Sequence, residues 1–559
     1  MNTDVYQRNI AALIKANPGL ANVLSNAKES NQISFRKSKT EKMVPFFNTG
    51  FREIPLHSQV DPEKEGIRFT HGQTDNGYLI FLGIGAAYHI MPFLDNQKIT
   101  NIVLVDSHID ILKSVLNIID LSRLILDPRT AIFVSPTQNE VKEHLLGTYT
   151  PFISGSLTAI PLRSVANIEQ EFYQKIRVEI EDSLNLIRTD SATQAKFGKL
   201  WFKNTALNLE RLVQSNTRIA SINNAIITGA GPSLEHQIPK LQSLQKRTFL
   251  IAVDTSLPTL LANDVVPDCV ISIDCQHISY LHFMQGFPQN VPLVMDIGSP
   301  PLLTRASVPT IFYASGNPFS RYITENWLPF PSLDTSGGNV TQSALSLAIR
   351  LNANVITVYG ADYCFLRGKT YSRGTYIYSY FDAISNRIRS IEGQHADFMY
   401  GANPLVCEGA ENGTLRYSTP MLQSYRRDLR IFAEKMNFSM ETMPDNVLLF
   451  KGPRTTTARN NPQYFGIDPE DSIKDKSYTD LLSIFCDRLK CLPELKTPLT
   501  TYFDNISIHD RSIWNCLYPV AASLSKTENR PGAYGIDLLS DARAWAITIL
   551  DNILDSRIS

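Results

Sequence analysis

The sequence predicts an α/β protein made of two Rossmann-like units and a helical C-terminal region, and three observations carry that reading. Two early segments, GYLIFLGIGAAYHIMPFL (77–94) and NIVLVDSHIDILKSVL (101–116), each begin as an apolar strand and continue as a turn and a helix. Between 224 and 360, six short apolar runs alternate with amphipathic segments, the pattern of a parallel sheet with helical crossovers. The stretch from Val165 to about Ser215 has strong helical periodicity and reads as a connector between the two units.

In chain order, MNTDVYQRNIAALIKANPG is an amphipathic helix candidate, with no charged segment leading into an apolar one as in a secretory leader. Residues near 30 to 70 read as extended, polar hairpins. Tyr78–Leu94 is the most apolar stretch, too short and glycine-broken for a membrane span, and therefore part of a core. The later strands are NAIITG, TFLIAVD, CVISID, VPLVMD, TIFYAS and VITVYG, with helices at SLEHQIPKLQSL, LPTLLAND and NVTQSALSLAIRL. VCEGAENGTLRYSTPMLQSYRRDLRIFAEKM (406–436) reads as a polar hairpin leading into an amphipathic helix. PRTTTARNNPQYFG (453–466) reads as a loop, and helices follow near 478–490 and 537–558. The expected division is an N-terminal extension to 65, a Rossmann-like domain with its connector at 66–215, a central α/β domain at 216–450, and a helical region at 451–559.

The chain has 559 residues, enough for several cores, with 43% hydrophobic and 19% charged residues. Its formal charge of −1 gives no overall footprint for nucleic acid, although net charge leaves the local distribution open. The seven cysteines form no CxxC pair and no metal set with histidine, so a reducing, cytoplasmic setting is the simpler expectation.

Five groups of residues carry chemistry. In the first unit, Gly83 and Gly85 end one strand and Asp106 the next, as in a dinucleotide fingerprint. Tyr88 stands where its third glycine belongs, so the turn is either a nucleotide site or purely structural. In the second unit, Gly229, Gly231, Pro232 and Ser233 follow a strand and open a helix. Such a turn can aim backbone amides at phosphate, with Ser233 capping the helix, or it can be a structural turn; no P-loop lysine is present. Asp254 with Thr255, and Asp274 in PDCVISID, end neighbouring strands. Either acid could take ribose or base hydrogen bonds or coordinate Mg²⁺, whereas Asp268 reads as the end of a loop.

The fourth group is DTSGGNVTQSAL, where Thr335, Ser336, Gly337 and Gly338 precede a helix capped by Asn339 and either offer a second amide nest or form a glycine turn before a capped helix. The fifth is GADYCFLRGKTYSRGTY, where Asp362 follows a strand and a lid carries Tyr363, Lys369, Tyr371, Arg373 and Tyr376. Basic and phenolic groups in a lid can fix and neutralise phosphate. His395, in GQHADF, is a candidate general base, or else a hydrogen-bonding anchor of the lid. The residues alone indicate an α/β enzyme that binds a phosphate compound, a transferase by preference.

Taken together, GAGPSL at 229, PDCVISID at 267, DTSGGNVTQSAL at 334 and GAD…GKTY at 360 resemble the motility-associated factor (Maf) flagellin glycosyltransferases over roughly residues 60–440. That family shares the domain of unknown function 115, also named after an archaeal hydroxymethylpterin pyrophosphokinase. The resemblance implies a Rossmann-like N-terminal domain, a central catalytic domain similar to bacterial sialyltransferases, and a helical C-terminal region. It implies transfer of a nonulosonic acid, of pseudaminic or legionaminic type, from a CMP-activated donor to serine or threonine of flagellin. The GAGPSL turn and Asp274 would then face CMP, and Thr335–Gly338 the donor sugar. Asp362 and the lid tyrosines would surround phosphate and sugar, with Lys369 and Arg373 taking up charge. No cofactor is firmly implied; a metal is not obviously required, because no tight carboxylate cluster or DxD triplet is visible, and Mg²⁺ stays an open possibility. A pyrophosphokinase using ATP and Mg²⁺, and a non-enzymatic flagellin-binding assembly factor, are the competing readings.

Overall fold

The computed structural model describes residues 3–70, 76–305, 309–401, 404–411, 414–453, 464–468, 477–527 and 535–558. These divide into two compact units, one of Met1–Gly198 with Cys491–Ala546, the other of Lys199–Lys490 with Ile547–Ser559. Most of the expected loop at 453–466 lies outside the described residues.

The first unit opens with the helices Thr3–Ala16 and Pro18–Asn26. The expectation of hairpins near 30 to 70 holds in part: β1 (Ile33–Lys37), β2 (Met43–Asn48) and β3 (Glu53–Pro55) form an antiparallel sheet, but Pro62–Thr70 is a helix, opened by a proline at its first position. Its main sheet is parallel and consists of β4 (Asn76–Leu82), β5 (Asn101–Asp106), β6 (Thr130–Val134) and β7 (Ser156–Pro161), in the order β6-β5-β4-β7. Leu79 and Phe81 enter one core, while Tyr78, Ile80 and Leu82 enter another on the opposite face. Burial on both faces explains why this strand reads as one continuous apolar run.

The turn after β4 departs from expectation, because no α-helix follows Gly85. Gly85 (φ +50°) and Ala87 (φ +58°) are both left-handed, and Pro92 sits in a short 3₁₀ turn, Met91–Asp95. Left-handed residues interrupt a right-handed helix, and proline cannot donate to one. The Ile84 amide donates to Asp106 Oδ2 at 2.8 Å, and the Ala86 amide to His57 Nε2 at 3.0 Å. An adjoining cavity is lined by Gly85, Asp106, Ser107, His108 and Glu169.

The connector is a single helix, Gln170–Gln214, of 45 residues. At Gly198 it meets the helix Ile508–Thr527 so closely that a Cβ would lie 1.8 Å from the Pro519 carbonyl oxygen.

The second unit contains the strands β8 (Ile219–Ala220), β9 (Asn224–Thr228), β10 (Phe249–Val253), β11 (Cys269–Ser272), β12 (Leu293–Asp296), β13 (Thr310–Tyr313), β14 (Val355–Tyr359), β15 (Phe365–Leu366), β16 (Val406–Glu411), β17 (Thr414–Ser418), β18 (Ser439–Met443), β19 (Val447–Lys451) and β20 (Tyr464–Phe465). Eight form one sheet, β13-β12-β11-β10-β9-β14-β19-β18, in which β9 to β14 run parallel, β19 pairs antiparallel to β14, and β18 antiparallel to β19. The six strand expectations all hold. The helix Val340–Arg350, with Ala344, Leu345, Leu347 and Ala348 fully buried, covers one face of the sheet. The chain builds outward from β9 to β13 and then returns to the other side of β9 at β14. That reversal places a topological switch point between β9 and β14, where open α/β sheets form their crevice.

Candidate functional site

Two turns meet at the switch point, Gly229–Ser233 after β9 and Gly360–Asp362 after β14. The Gly229 amide donates to the Tyr359 carbonyl at 2.7 Å and the Gly231 amide to the Gly360 carbonyl at 2.7 Å. The glycines are required by this approach: a Cβ on Gly229 would lie 2.6 Å from the Gly360 oxygen, and one on Gly231 2.5 Å from Asp362 Oδ2. The Ser233 amide donates to Asp362 Oδ2 at 2.8 Å. Three amides expected to face a phosphate are therefore engaged within the protein, and Pro232 has none to offer. Asp362 supplies the anion that a helix N-terminus favours. Ser233 also makes no side-chain cap, because its backbone is already helical (φ −62°, ψ −24°) and a capping residue is normally extended.

A second gathering lies along the carboxyl ends of β10 and β11. Asp254 is buried, accepting from the Thr255 amide at 2.7 Å and from Ser272 Oγ at 2.7 Å. Asp274, two residues beyond β11, accepts from the Gln276 amide at 3.0 Å. Burial raises the Asp274 carboxyl and the nearby Asp254 charge adds to this, opposed by the Gln276 bonds and by His282. Three tyrosines converge on these acids. Burial, with the charges of both acids, raises the Tyr376 hydroxyl; burial and Asp274 raise that of Tyr425. Tyr371 is pushed up to about 12 by burial, with Tyr376, Tyr425 and Asp254 contributing. His282, in the 3₁₀ turn His277–Phe283, packs edge-on against Tyr376 with ring centroids 4.6 Å apart.

The Thr335–Gly338 loop reaches the same region, since a Cβ on left-handed Gly338 would lie 3.7 Å from a Tyr425 ring carbon. Asn339 caps the following helix as expected, accepting from the Gln342 amide at 3.0 Å. Ser336 Oγ donates to Asp334 Oδ1 at 2.6 Å.

The lid after Asp362 is tied down by a residue that sequence reasoning overlooked. Glu235, in the first turn of the helix Leu234–Leu244, accepts from Lys369 Nζ at 2.7 Å and from the Arg373 amide at 2.9 Å. Lys369 is thus paired rather than free to neutralise a phosphate, while Arg373 is exposed. Tyr363 is packed against the core of the sheet. His395 is not brought to the strand-end acids by its contacts. Its Nδ1 lies 3.0 Å from Thr370 Oγ1, and its ring sits against Tyr378 and Phe381, each at 4.8 Å.

Sequence reasoning also missed His282 and Tyr425. His282 follows Asp274 by eight residues between two expected strands, and that spacing is the signal by which it could have been found. Tyr425 precedes Leu429, Phe432 and Ala433 by four, seven and eight residues on the buried face of the amphipathic helix Pro420–Lys435, so in the sequence it reads as one more core-facing aromatic. Asp268, as expected, is structural: it accepts from the Leu250 amide at 2.7 Å. Among the described residues, no three His, Cys, Asp or Glu side chains are placed to hold a metal, and no helix is long and apolar enough to cross a membrane. No disulfide joins any of the seven cysteines.

Residues 200–368, which span both strand-end groups and the start of the lid, match the family described as 6-hydroxymethylpterin diphosphokinase MptE-like. An uncharacterised protein of Treponema pallidum is 33% identical over 165 residues, 29% of this chain and 79% of that protein. A second one from the same organism is 33% identical over 151 residues, 26% of this chain and 53% of its own length. The chain belongs to the same family as the first of these treponemal proteins. A Maf glycosyltransferase from Magnetospirillum magneticum has a similar fold, with a TM-score of 0.54 at 13% identity, over 99% of this chain and 96% of that one.

Proposed function

We propose that the protein is a glycosyltransferase that moves a nonulosonic acid, of pseudaminic or legionaminic type, from a CMP-activated donor to serine or threonine of flagellin. The observation that carries this reading is the gathering of Asp254, Asp274, Tyr371, Tyr376 and Tyr425 at the carboxyl ends of β10 and β11. Carboxylates and phenols are hydrogen-bonding partners for the hydroxyls and amino groups of a nucleoside and a sugar. The similarity in fold to a Maf glycosyltransferase along nearly the whole chain supports it.

In this reading Asp254 and Asp274 hold the nucleoside, and Thr335–Gly338 with Tyr425 line the donor sugar. Tyr371, Tyr376 and the exposed Arg373 close over the phosphate. The GAGPS turn and Asp362 serve as the rigid floor. The protein lowers the barrier by orienting the acceptor hydroxyl and by stabilising charge on the departing CMP phosphate.

A pyrophosphokinase reading is favoured by the family match at 200–368. Calorimetric titration with CMP, ATP and GTP, with and without Mg²⁺, separates the two. Saturable CMP binding, weakened by Asp274→Ala, is the expected result. Preference for ATP with Mg²⁺ would sink the CMP-sugar assignment, and binding of none of them would leave a flagellin-binding assembly role.

A further inference from the structure

We infer that His282 accepts the proton of the incoming hydroxyl in the transfer proposed above, on which this inference rests. His282 is 9% exposed, and its Nδ1 is buried without a hydrogen-bond partner. A histidine kept for packing usually secures its ring by a hydrogen bond to a carbonyl or carboxylate. This ring is instead held by an aromatic edge, Tyr376 at 4.6 Å and 81°. Asp274 lies in the segment that leads from β11 into this turn, and His282 acts to lower its carboxyl against the effect of burial.

The surroundings are acidic. The turn Asp254–Ser256, packed against the turn that carries His282, brings Asp254; the segment Leu257–Leu261 brings no charge. The turn Pro301–Arg305 brings Arg305, which is exposed, and the lid brings Tyr376. His395 also has a buried ring nitrogen without a partner, Nε2, but Thr370 engages its Nδ1 and its ring packs on Tyr378 and Phe381 rather than on Tyr376.

The step balances as follows. The acceptor oxygen forms a bond to the anomeric carbon with its lone pair. The bond from that carbon to the phosphate oxygen breaks, and its electron pair leaves with CMP. The hydroxyl proton passes to neutral His282, and the imidazolium is stabilised by Asp274 until solvent takes the proton.

The test measures CMP release and sugar transfer by the full chain, given a CMP-activated nonulosonic acid and flagellin. The comparison is between the wild type, His282→Gln, His282→Ala and His395→Gln. The expected result for the His282 variants is CMP affinity and melting temperature near those of the wild type, with transfer reduced about 100-fold or more. His395→Gln keeps transfer near the wild-type rate, and free imidazole partly restores His282→Ala. Wild-type rates in both folded His282 variants overturn the inference while leaving the transferase reading standing. If the glutamine variant does not fold, absence of imidazole rescue in the alanine variant overturns it. A wild type silent toward every CMP-activated donor removes the reading itself, and the inference with it.

Discussion

Gly231 is where a single hydrogen atom decides whether two strand-end turns can meet. A methyl group there would lie 2.5 Å from Asp362 Oδ2 and 2.7 Å from the Gly360 oxygen, both fixed by the sheet. Gly231→Ala is expected to destabilise the second unit by about 1–3 kcal/mol, the cost of overpacking a fixed core. Gly316→Ala, with nothing within 4 Å of its Cβ, is the control and should be near neutral in urea unfolding. The glycines were legible in the sequence, but their partner was not. Asp362 lies 129 residues from Ser233, and only the strand order brings them together. The same substitution of carboxylate for phosphate occurs in the first unit, where Asp106 takes the Ile84 amide. Asp296 supplies a pH test. Burial raises its carboxyl to about 6, although Ser315 donates from both its amide and its hydroxyl. Between about pH 4 and 6 the folded chain then keeps a proton that the unfolded chain has lost, so stability falls as pH rises across that window, by up to about 3 kcal/mol. Asp296→Asn should flatten that segment of the stability profile; an unchanged slope would show that the carboxyl is already ionised at low pH.

The lid is held as an element by one acid at its base. Burial alone would raise Glu235, but the Lys369 ammonium and the Arg373 amide hold it below the usual carboxylate range. A depressed carboxyl contributes its stability above its unfolded value and loses it as pH falls through the folded one. The lid should therefore stay tethered at neutral pH and loosen only in acid. Glu235→Ala should release it at neutral pH, measured as faster tryptic cleavage after Arg367, Lys369 and Arg373, with the remaining sites unaffected. Equal cleavage rates would place the lid's anchorage elsewhere, for example in the bond from Thr259 Oγ1 to the Arg373 carbonyl at 2.8 Å. Reading the sequence showed the basic and phenolic character of this segment, because those residues are adjacent. It did not show that Lys369 is neutralised, since Glu235 reads simply as a favourable acid in a helix's first turn. The helix expected after Gly85 failed for a related reason: apolar composition is shared by helices and buried turns, and left-handed Ala87 leaves no mark in it.

At the scale of the whole molecule, the six parallel strands were readable because each is a short apolar run ending in glycine, acid or serine. Their order was not, because alternation of strand and helix fixes parallel direction without fixing the side on which each new strand adds. The C-terminal segment was legible as helical, yet its allegiance was not, since residues 491–546 join the first unit and 547–559 the second. Within the first unit that segment is well anchored. Tyr518 packs edge-on to Phe152 at 6.2 Å, Ser523 Oγ donates to the Gln194 carbonyl at 3.0 Å, and the Gly535 amide donates to the Phe152 carbonyl at 3.3 Å. Its own Trp514, Leu517 and Val520 are fully buried. A chain ended after Lys451 would therefore expose the Phe152 region and the C-terminal part of the connector's first-unit face. Hydrogen exchange of the amides of Tyr78–Leu82, at the centre of the first sheet, should accelerate in that truncation even though the cut lies hundreds of residues away in sequence. If those amides kept their protection, residues 491–546 would be an independent appendage, and the first unit would be complete without them.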